Sequence, residues 1–348
     1  MQQNKIIQNT PDNAMNMHKR AGRFYLTEKL GTGSNGTVFR GHDPVIDRDV
    51  AIKILNASGN AADKKQREQQ FINEARAAGR LSHPNIVTIF DASSEGGTTF
   101  IAMEFLGGQD LKMMLAAGRT FDFIETTDII QRIADALAYA HEKSVIHRDI
   151  KPGNIFILTN NQPKVVDFGI ARAPNRLLDE NQPANVTLFN NNILGTPNYM
   201  SPEQAMGKPV NAQTDIYSLG AVMYEMLTMQ KPFQSNDIDK LLHQIAYKTP
   251  KAPSEINPGI PESLSRIVMK AMQKELSHRY QTAREMSDDL QKVLDRDKRL
   301  KRKRGKINQE SAQKNIRTES TPLLWFSLAA ILIALAFAVM VNLPRAGL

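Results

Sequence analysis

Residues 147–154 read HRDIKPGN, and 164–172 read KVVDFGIAR. Asp149 and Asp167 supply carboxylates and Asn154 an amide. These are hard oxygen donors of the kind Mg²⁺ prefers, with one carboxylate left to accept a proton. Pro152 and Gly153 forbid a continuing helix, so Asp149 falls on a loop. Asn154 leads into the strand-like IFIL, and Asp167 follows the strand-like VV. Further upstream, GTGSNGTV places Gly31, Gly33 and Gly36 at i, i+2 and i+5, where backbone amides can approach phosphate oxygens. Lys53 is a lone cation in the apolar strand DVAIKIL and, once buried, needs a carboxylate or a phosphate beside it. Glu74, on the helical stretch QQFINEARAA with Phe71, Ala75 and Ala78 on its apolar side, is the candidate carboxylate. A metal, a base and cations around a phosphate are the requirements of phosphoryl transfer.

The elements that must hold these groups can be read from the patterning. From residue 23 to 91 the chain is strand-like (FYLTEKL, TVFRGHD, DVAIKIL, NIVTIFD), interrupted by one helical stretch, KKQREQQFINEARAAGRL. This predicts a five-stranded small lobe with one helix. A dinucleotide-binding reading of the glycines would need a helix directly after them, and the chain continues as a strand instead. After FIAMEFLGG, whose glycines suit a hinge, helical stripes take over: TTDIIQRIADALAYAHEK, DIYSLGAVMYEMLT, DIDKLLHQIAYK and PESLSRIVMKAMQKEL. The fold class is α+β, with a β-rich amino-terminal part and a helix-rich carboxy-terminal part.

Charge and hydropathy then separate the two ends. The chain of 348 residues has no cysteine, which excludes disulfides, thiolate metal sites and a cysteine nucleophile. Its first 21 residues are polar and lack the apolar stretch of a secretory leader, so a cytoplasmic start is expected. The net charge is +8; between residues 296 and 317, ten Lys or Arg face two acids, an excess that equals the whole net charge. A neutral body with one basic segment argues against nucleic acid as a partner and for a local electrostatic task. Residues 323–343, LLWFSLAAILIALAFAVMVNL, carry no charge. As a helix they would span about 32 Å, enough for a bilayer. Pro322 suits the first turn of that helix, and Trp325 an interface. The basic flank predicts a single-pass plasma-membrane anchor with the body in the cytoplasm, and lipid contact by the basic linker 295–322.

Taken in order, GTGSNGTV, VAIK, HRDIKPGN, DFG, GTPNYMSPE, DIYSLG and HRY resemble the eukaryotic-like Ser/Thr protein kinases, specifically a bacterial membrane-anchored member. The resemblance covers roughly residues 22–294. It implies a bilobal fold, with an N-lobe over about 22–106 and a C-lobe over about 107–294, flanked by a polar extension (1–21), the basic linker, the transmembrane helix and a short external tail (344–348). It implies ATP and Mg²⁺, with Mn²⁺ as a substitute, protein serine and threonine hydroxyls as substrates, and leaves a homodimer open.

Position by position, the resemblance implies that Gly31, Thr32, Gly33, Ser34, Asn35 and Gly36 cover the ATP phosphates, with Val38 and Ala51 also bordering the nucleotide. Lys53 would hold the α and β phosphates and Glu74 would orient it. The backbone around Glu104 and Leu106 would bind adenine, with Met103 guarding the pocket behind. Asp149 would be the catalytic base, Lys151 would touch the γ-phosphate, and Asn154 and Asp167 would hold the metal. Glu203, Asp215 and Arg279 would be structural, the first and last as a pair. Thr196 would position the substrate hydroxyl. Two departures stand out: Ser201 replaces the commoner alanine, and Ala78 is small where the family often has a larger hydrophobe, which would leave the helix loosely packed. Thr187 is the single hydroxyl residue between Asp167 and Gly195, so autophosphorylation there is expected, with Arg148 and Arg172 as phosphate partners. The alternative reading is a membrane-tethered, nucleotide-binding pseudokinase scaffold, against which stand intact Lys53, Asp149, Asn154 and Asp167.

Overall fold

The computed structural model describes residues 19–33, 36–56, 61–168 and 197–341; the side chains of 61–63, 74, 304–325 and 340–341 lie outside that description. Two compact units are present, Met1–Gln291 and Lys292–Leu348.

The first unit opens with β1 (Arg20–Ala21), β2 (Phe24–Gly33), β3 (Gly36–Asp43) and β4 (Arg48–Ile54), followed by α1 (Ala61–Ala78), β5 (Ile89–Glu95) and β6 (Thr98–Glu104). The sheet order is β1-β2-β3-β4-β6-β5, with every neighbouring pair antiparallel. The sheet therefore has six strands where the sequence predicts five. The extra one is a two-residue pairing of Arg20 and Ala21 with Tyr25 and Phe24, too short to show any alternation. One face of the sheet buries Phe24, Val50, Ile52, Phe100 and Ala102, with Phe24 and Phe100 edge to face at 5.9 Å. Phe71 and Ala75 of α1 pack on Ile101. The expected strand NIVTIFD begins only at Ile89 and runs on to Glu95, while Ile86 makes a separate parallel bridge to Val165.

The helical part follows: β7 (Gly108–Asp110), α2 (Leu111–Ala116), α3 (Phe123–Glu142), β8 (Ile155–Leu158), β9 (Pro163–Val165), α4 (Pro202–Ala205), α5 (Ala212–Thr228), α6 (Ile238–Tyr247), α7 (Pro253–Ile256), α8 (Glu262–Ala271) and α9 (Ala283–Val341). Asp122 caps α3 by accepting from the Ile124 and Glu125 amides at 2.8 and 2.7 Å. The stripe of α3 (Ile129, Ile130, Ile133, Leu137) is buried, and so is nearly every face of α5. A helix buried on nearly all sides belongs at the centre, and α5 contacts both α3 and α8. Ala283, Met286 and Leu290 at the start of α9 are buried in the first unit.

In the second unit the backbone is helical as far as Val341, Gly305 and Pro322 included. Pro322 therefore sits inside a helix rather than at its first turn. Among the described residues no helix is long and apolar enough to cross a membrane. Side chains are described for 326–339 of the segment 323–343, and there Phe326, Ile333 and Phe337 are 76%, 71% and 69% exposed.

Candidate active site

The site is assembled from the β2–β3 hairpin, β4, β6, the loop 147–154 and the stretch that follows β9. In the β2–β3 hairpin, Gly33 pairs with Gly36 across the turn; Ser34 and Asn35 lie outside the described residues. The glycines do different work. A Cβ on Gly36 would lie 2.4 Å from the Ile54 carbonyl oxygen, so that position needs glycine for strand packing. A Cβ on Gly31 would meet nothing within 4 Å, leaving open space for an approaching group.

Beneath the hairpin, antiparallel pairing sets Ala51 opposite Met103 and Lys53 opposite Ile101. Ala51, Met103 and Val87 form a buried apolar cluster, against which Val38, Leu106, Ile89, Phe105 and Val166 pack. The sequence-predicted Val38, Ala51, Met103 and Leu106 are thus brought together. Val87 and Val166 complete the same wall and were not singled out from the sequence. Behind Met103 lies a small cavity bounded by Lys53, Ala75, Ala78, Met103, Asp167 and Phe168. Ala78 borders that cavity, and a longer side chain there would project toward it.

Lys53 is buried, and its Nζ lies 2.8 Å from Asp167 Oδ1. The Glu74 side chain, its sequence-predicted partner, is outside the described residues. Burial pushes the Asp167 carboxyl up, but the adjacent Lys53 ammonium outweighs this and holds it below the usual carboxylate range. Asp167 has a left-handed backbone, φ 56°, as does Arg148 at φ 66°. Non-glycine residues in this region carry strain that the surroundings must hold.

For Arg148 the holding group is Asp215 on α5, which is fully buried. Its carboxylate accepts from the His147 and Arg148 amides at 2.8 and 2.7 Å and pairs with His141 Nε2 at 2.8 Å. On the other side of the same residue, Gln204 Nε2 donates to the Arg148 carbonyl at 2.8 Å. The loop is fixed further by His147. Its Nδ1 accepts from the Asp149 amide at 3.2 Å while Nε2 donates to the Val166 carbonyl at 2.9 Å, which assigns the Nε2–H tautomer. Phe168 packs against that imidazole with ring centroids 4.7 Å apart and the planes tilted by 52°.

Within the loop the reactive groups face one another. Lys151 Nζ is 2.7 Å from Asp149 Oδ2, and Asn154 Nδ2 donates to the Asp149 carbonyl at 2.8 Å and to Oδ2 at 3.2 Å. With its nitrogen engaged, the Asn154 amide presents its oxygen as the ligand-type atom. Asn154 O accepts from the Val166 amide at 3.0 Å, so the loop is tied directly to the strand end that carries Asp167. The donor set, one amide oxygen and one carboxylate, suits Mg²⁺, which takes few protein ligands and completes its shell with phosphates and water.

More distant support comes from Glu203 and Arg279. Arg279 is buried, its Nη1 and Nη2 reach Glu203 Oε1 and Oε2 at 3.0 and 3.2 Å, and Thr214 Oγ1 donates to Oε1 at 2.7 Å. Burial pushes the Glu203 carboxyl up, but the Arg279 fork outweighs it and lowers the value. Ser201 caps α4 and forms a reciprocal capping box with Gln204, which gives the replaced alanine a local reason. Thr187, Arg172 and Thr196 lie outside the described residues.

A glycine hairpin, a buried lysine on a carboxylate, and a clamped loop of Asp149, Lys151 and Asn154 fall in one place. The sequence profile of the protein kinase domain matches residues 24–295. The chain belongs to the protein kinase domain family. Among similar proteins, PrkC of Bacillus subtilis, a serine/threonine-protein kinase, is 35% identical over 305 residues, covering 87% of this chain and 45% of PrkC. A probable serine/threonine-protein kinase of Streptomyces coelicolor is 37% identical over 278 residues (79% and 40%). PknB of Mycobacterium tuberculosis, also a serine/threonine-protein kinase, is 36% identical over 275 residues (78% and 43%). The chain spans less than half the length of these curated relatives. The match covers β2 to β6, the helical part and the loop that carries Asp149; β1, the basic stretch 296–317 and the whole apolar segment 323–343 lie outside the matched residues.

Proposed function

We propose that this kinase-family chain transfers the terminal phosphate of ATP to serine and threonine hydroxyls of proteins. The observation that carries the reading is the clamped loop: Asp149 is presented with Lys151 at 2.7 Å and Asn154 at 2.8 Å, beside the Lys53–Asp167 pair. Asp149 acts as the base that takes the proton from the attacking hydroxyl, and Lys151 offsets charge on the group in transit. Lys53 holds the α and β phosphates; Asn154 and Asp167 hold Mg²⁺, which when bound neutralises the phosphates and fixes their orientation. Val38, Ala51, Met103 and Leu106 enclose the base, and the backbone of Glu104 and Leu106 gives it hydrogen bonds. Thr187 is the autophosphorylation site, with Arg148 and Arg172 receiving its phosphate, and Thr196 positions the substrate hydroxyl. Residues 323–343 form a membrane anchor next to a basic stretch drawn to anionic lipid. The exposure of apolar side chains on all faces of 326–339 supports this, since a helix apolar all round is stable only in a core or a bilayer.

The catalytic part is tested by incubating the purified chain with labelled ATP, Mg²⁺ and a generic protein and identifying the labelled amino acids. Label on serine or threonine that disappears with a chelator supports the reading, and label on neither rejects it. Sodium carbonate washing of membranes separates the anchor from a peripheral association: an anchored chain stays in the pellet.

A further inference from the structure

Lys164 sits at the centre of β9, three residues before Asp167, with a side chain only 9% exposed. Its Nζ lies 2.9 Å from Glu104 Oε2 and 3.4 Å from the Ile86 carbonyl. Glu104 ends β6, and the backbone there is the edge proposed to meet adenine. The same carboxylate oxygen accepts from the Thr88 amide at 3.4 Å, while the Glu104 amide donates to the Thr88 carbonyl at 2.9 Å. The Glu104 side chain and main chain are therefore both fixed, one end by the Lys164 ammonium and the other by the residue that pairs with it.

The strand carrying Lys164 is attached without this ion pair. Val165 donates to the Asn85 carbonyl at 2.8 Å, Val87 donates to the Val165 carbonyl at 2.9 Å, and Asn85 Nδ2 donates to the Pro163 carbonyl at 2.7 Å. Those three bonds already join β9 to residues 85–87. A buried ion pair contributes little net stability and can often be replaced by apolar groups of like volume without loss, so its value lies in direction. What the pair adds here is a constraint on Glu104 set by the strand that also leads to Asp167.

We infer that Lys164 is a positioning residue for the adenine edge: it holds Glu104 so that the Glu104–Leu106 backbone meets the base, and it ties that edge to the strand that leads to Asp167. This rests on the nucleotide reading above. The phosphate subsite, made by other residues, does not depend on it.

The test uses the full chain and calorimetric titration with two probes, adenosine and magnesium tripolyphosphate. Lys164→Met is expected to weaken adenosine roughly tenfold, within the usual range of site-to-site coupling, and to leave tripolyphosphate within about twofold. Lys164→Met with Glu104→Leu removes the unpaired carboxylate; it is expected to regain thermal stability but not adenosine affinity, whereas a merely structural lysine would regain both together. Should Lys164→Met fail to fold, Glu104→Gln alone carries the same adenosine expectation. Unchanged adenosine binding, or equal loss for both probes, overturns the inference. A wild-type chain that binds neither ATP nor tripolyphosphate overturns the nucleotide reading itself, and that result is visible before any variant is made.

Discussion

Lys53 and Asp167, 114 positions apart in the chain, meet at 2.8 Å between β4 and the stretch just past the end of β9. The contact joins the cation that would hold the nucleotide phosphates to the carboxylate that would hold the metal. Removing either charge is expected to lower turnover more than stability. Lys53→Met and Asp167→Asn should each cost about 10²-fold or more in kcat, the usual scale for losing one preorganised electrostatic contact. Initial-rate phosphorylation assays at saturating ATP check this, and a loss below fivefold in both would count against the assignment.

Asp215 offers a stability prediction. Its carboxylate accepts two backbone amides and meets His141, all in the buried interior. Asp215→Ala leaves those groups unpaired, and such a loss is expected to cost about 3 kcal/mol or more. Because the two amides belong to His147 and Arg148, activity should fall further than the folded fraction does. Urea titration followed by assay of the folded protein separates the two effects.

How far could these relationships be read from the chain alone? The stripes of α3 and α5 and the strand pattern around Lys53 were readable, because local periodicity reports burial directly. The partners of Asp215 were not, since they stand 67 and 68 positions away on a loop with no periodicity. Lys164 did leave a signal, a lone cation between Pro163 and Val165, the same cue that marked Lys53. The two-residue β1 left none, and the continuous helix through Pro322 ran against the local rule for proline. The groups that were legible only through family resemblance, Val38 and Leu106 among them, meet because β3 and the end of β6 fold over the same apolar wall.

Lys274 supplies a pH prediction. It donates to the Ile245 carbonyl at 2.6 Å and the Tyr217 hydroxyl at 3.0 Å, and burial followed by the nearby Arg279 charge pushes its amine down from 10.5 to about 7. Between those values the unfolded chain holds the proton more tightly than the folded one, so this residue makes stability rise with pH from about 7 to about 10.5 and adds no slope below 7. The slope is at most about 1.4 kcal/mol per pH unit. Tyr199 and Tyr280, whose hydroxyls burial pushes up, reverse the trend above the ordinary tyrosine range. The difference in urea midpoint between wild type and Lys274→Met, followed from pH 6 to 10, isolates the lysine; a constant difference would contradict the assignment.

Thr187 provides the regulatory prediction. Thr187→Ala should lower activity several-fold and remove the corresponding phosphopeptide from chain incubated with ATP. Mass spectrometry of the autophosphorylated protein together with the rate of the variant tests both parts. An unchanged rate with the phosphopeptide absent would separate modification from control and refute the switch.

The central claim is that Asp149, held by Lys151 and Asn154, is the group that takes the hydroxyl proton. Its most direct test pairs ATP titration with label transfer for wild type and Asp149→Asn. The expected result is ATP affinity within about twofold of wild type and transfer reduced by roughly 10²- to 10⁴-fold, the range for loss of a general base. Transfer that survives the substitution at the wild-type rate would contradict the account.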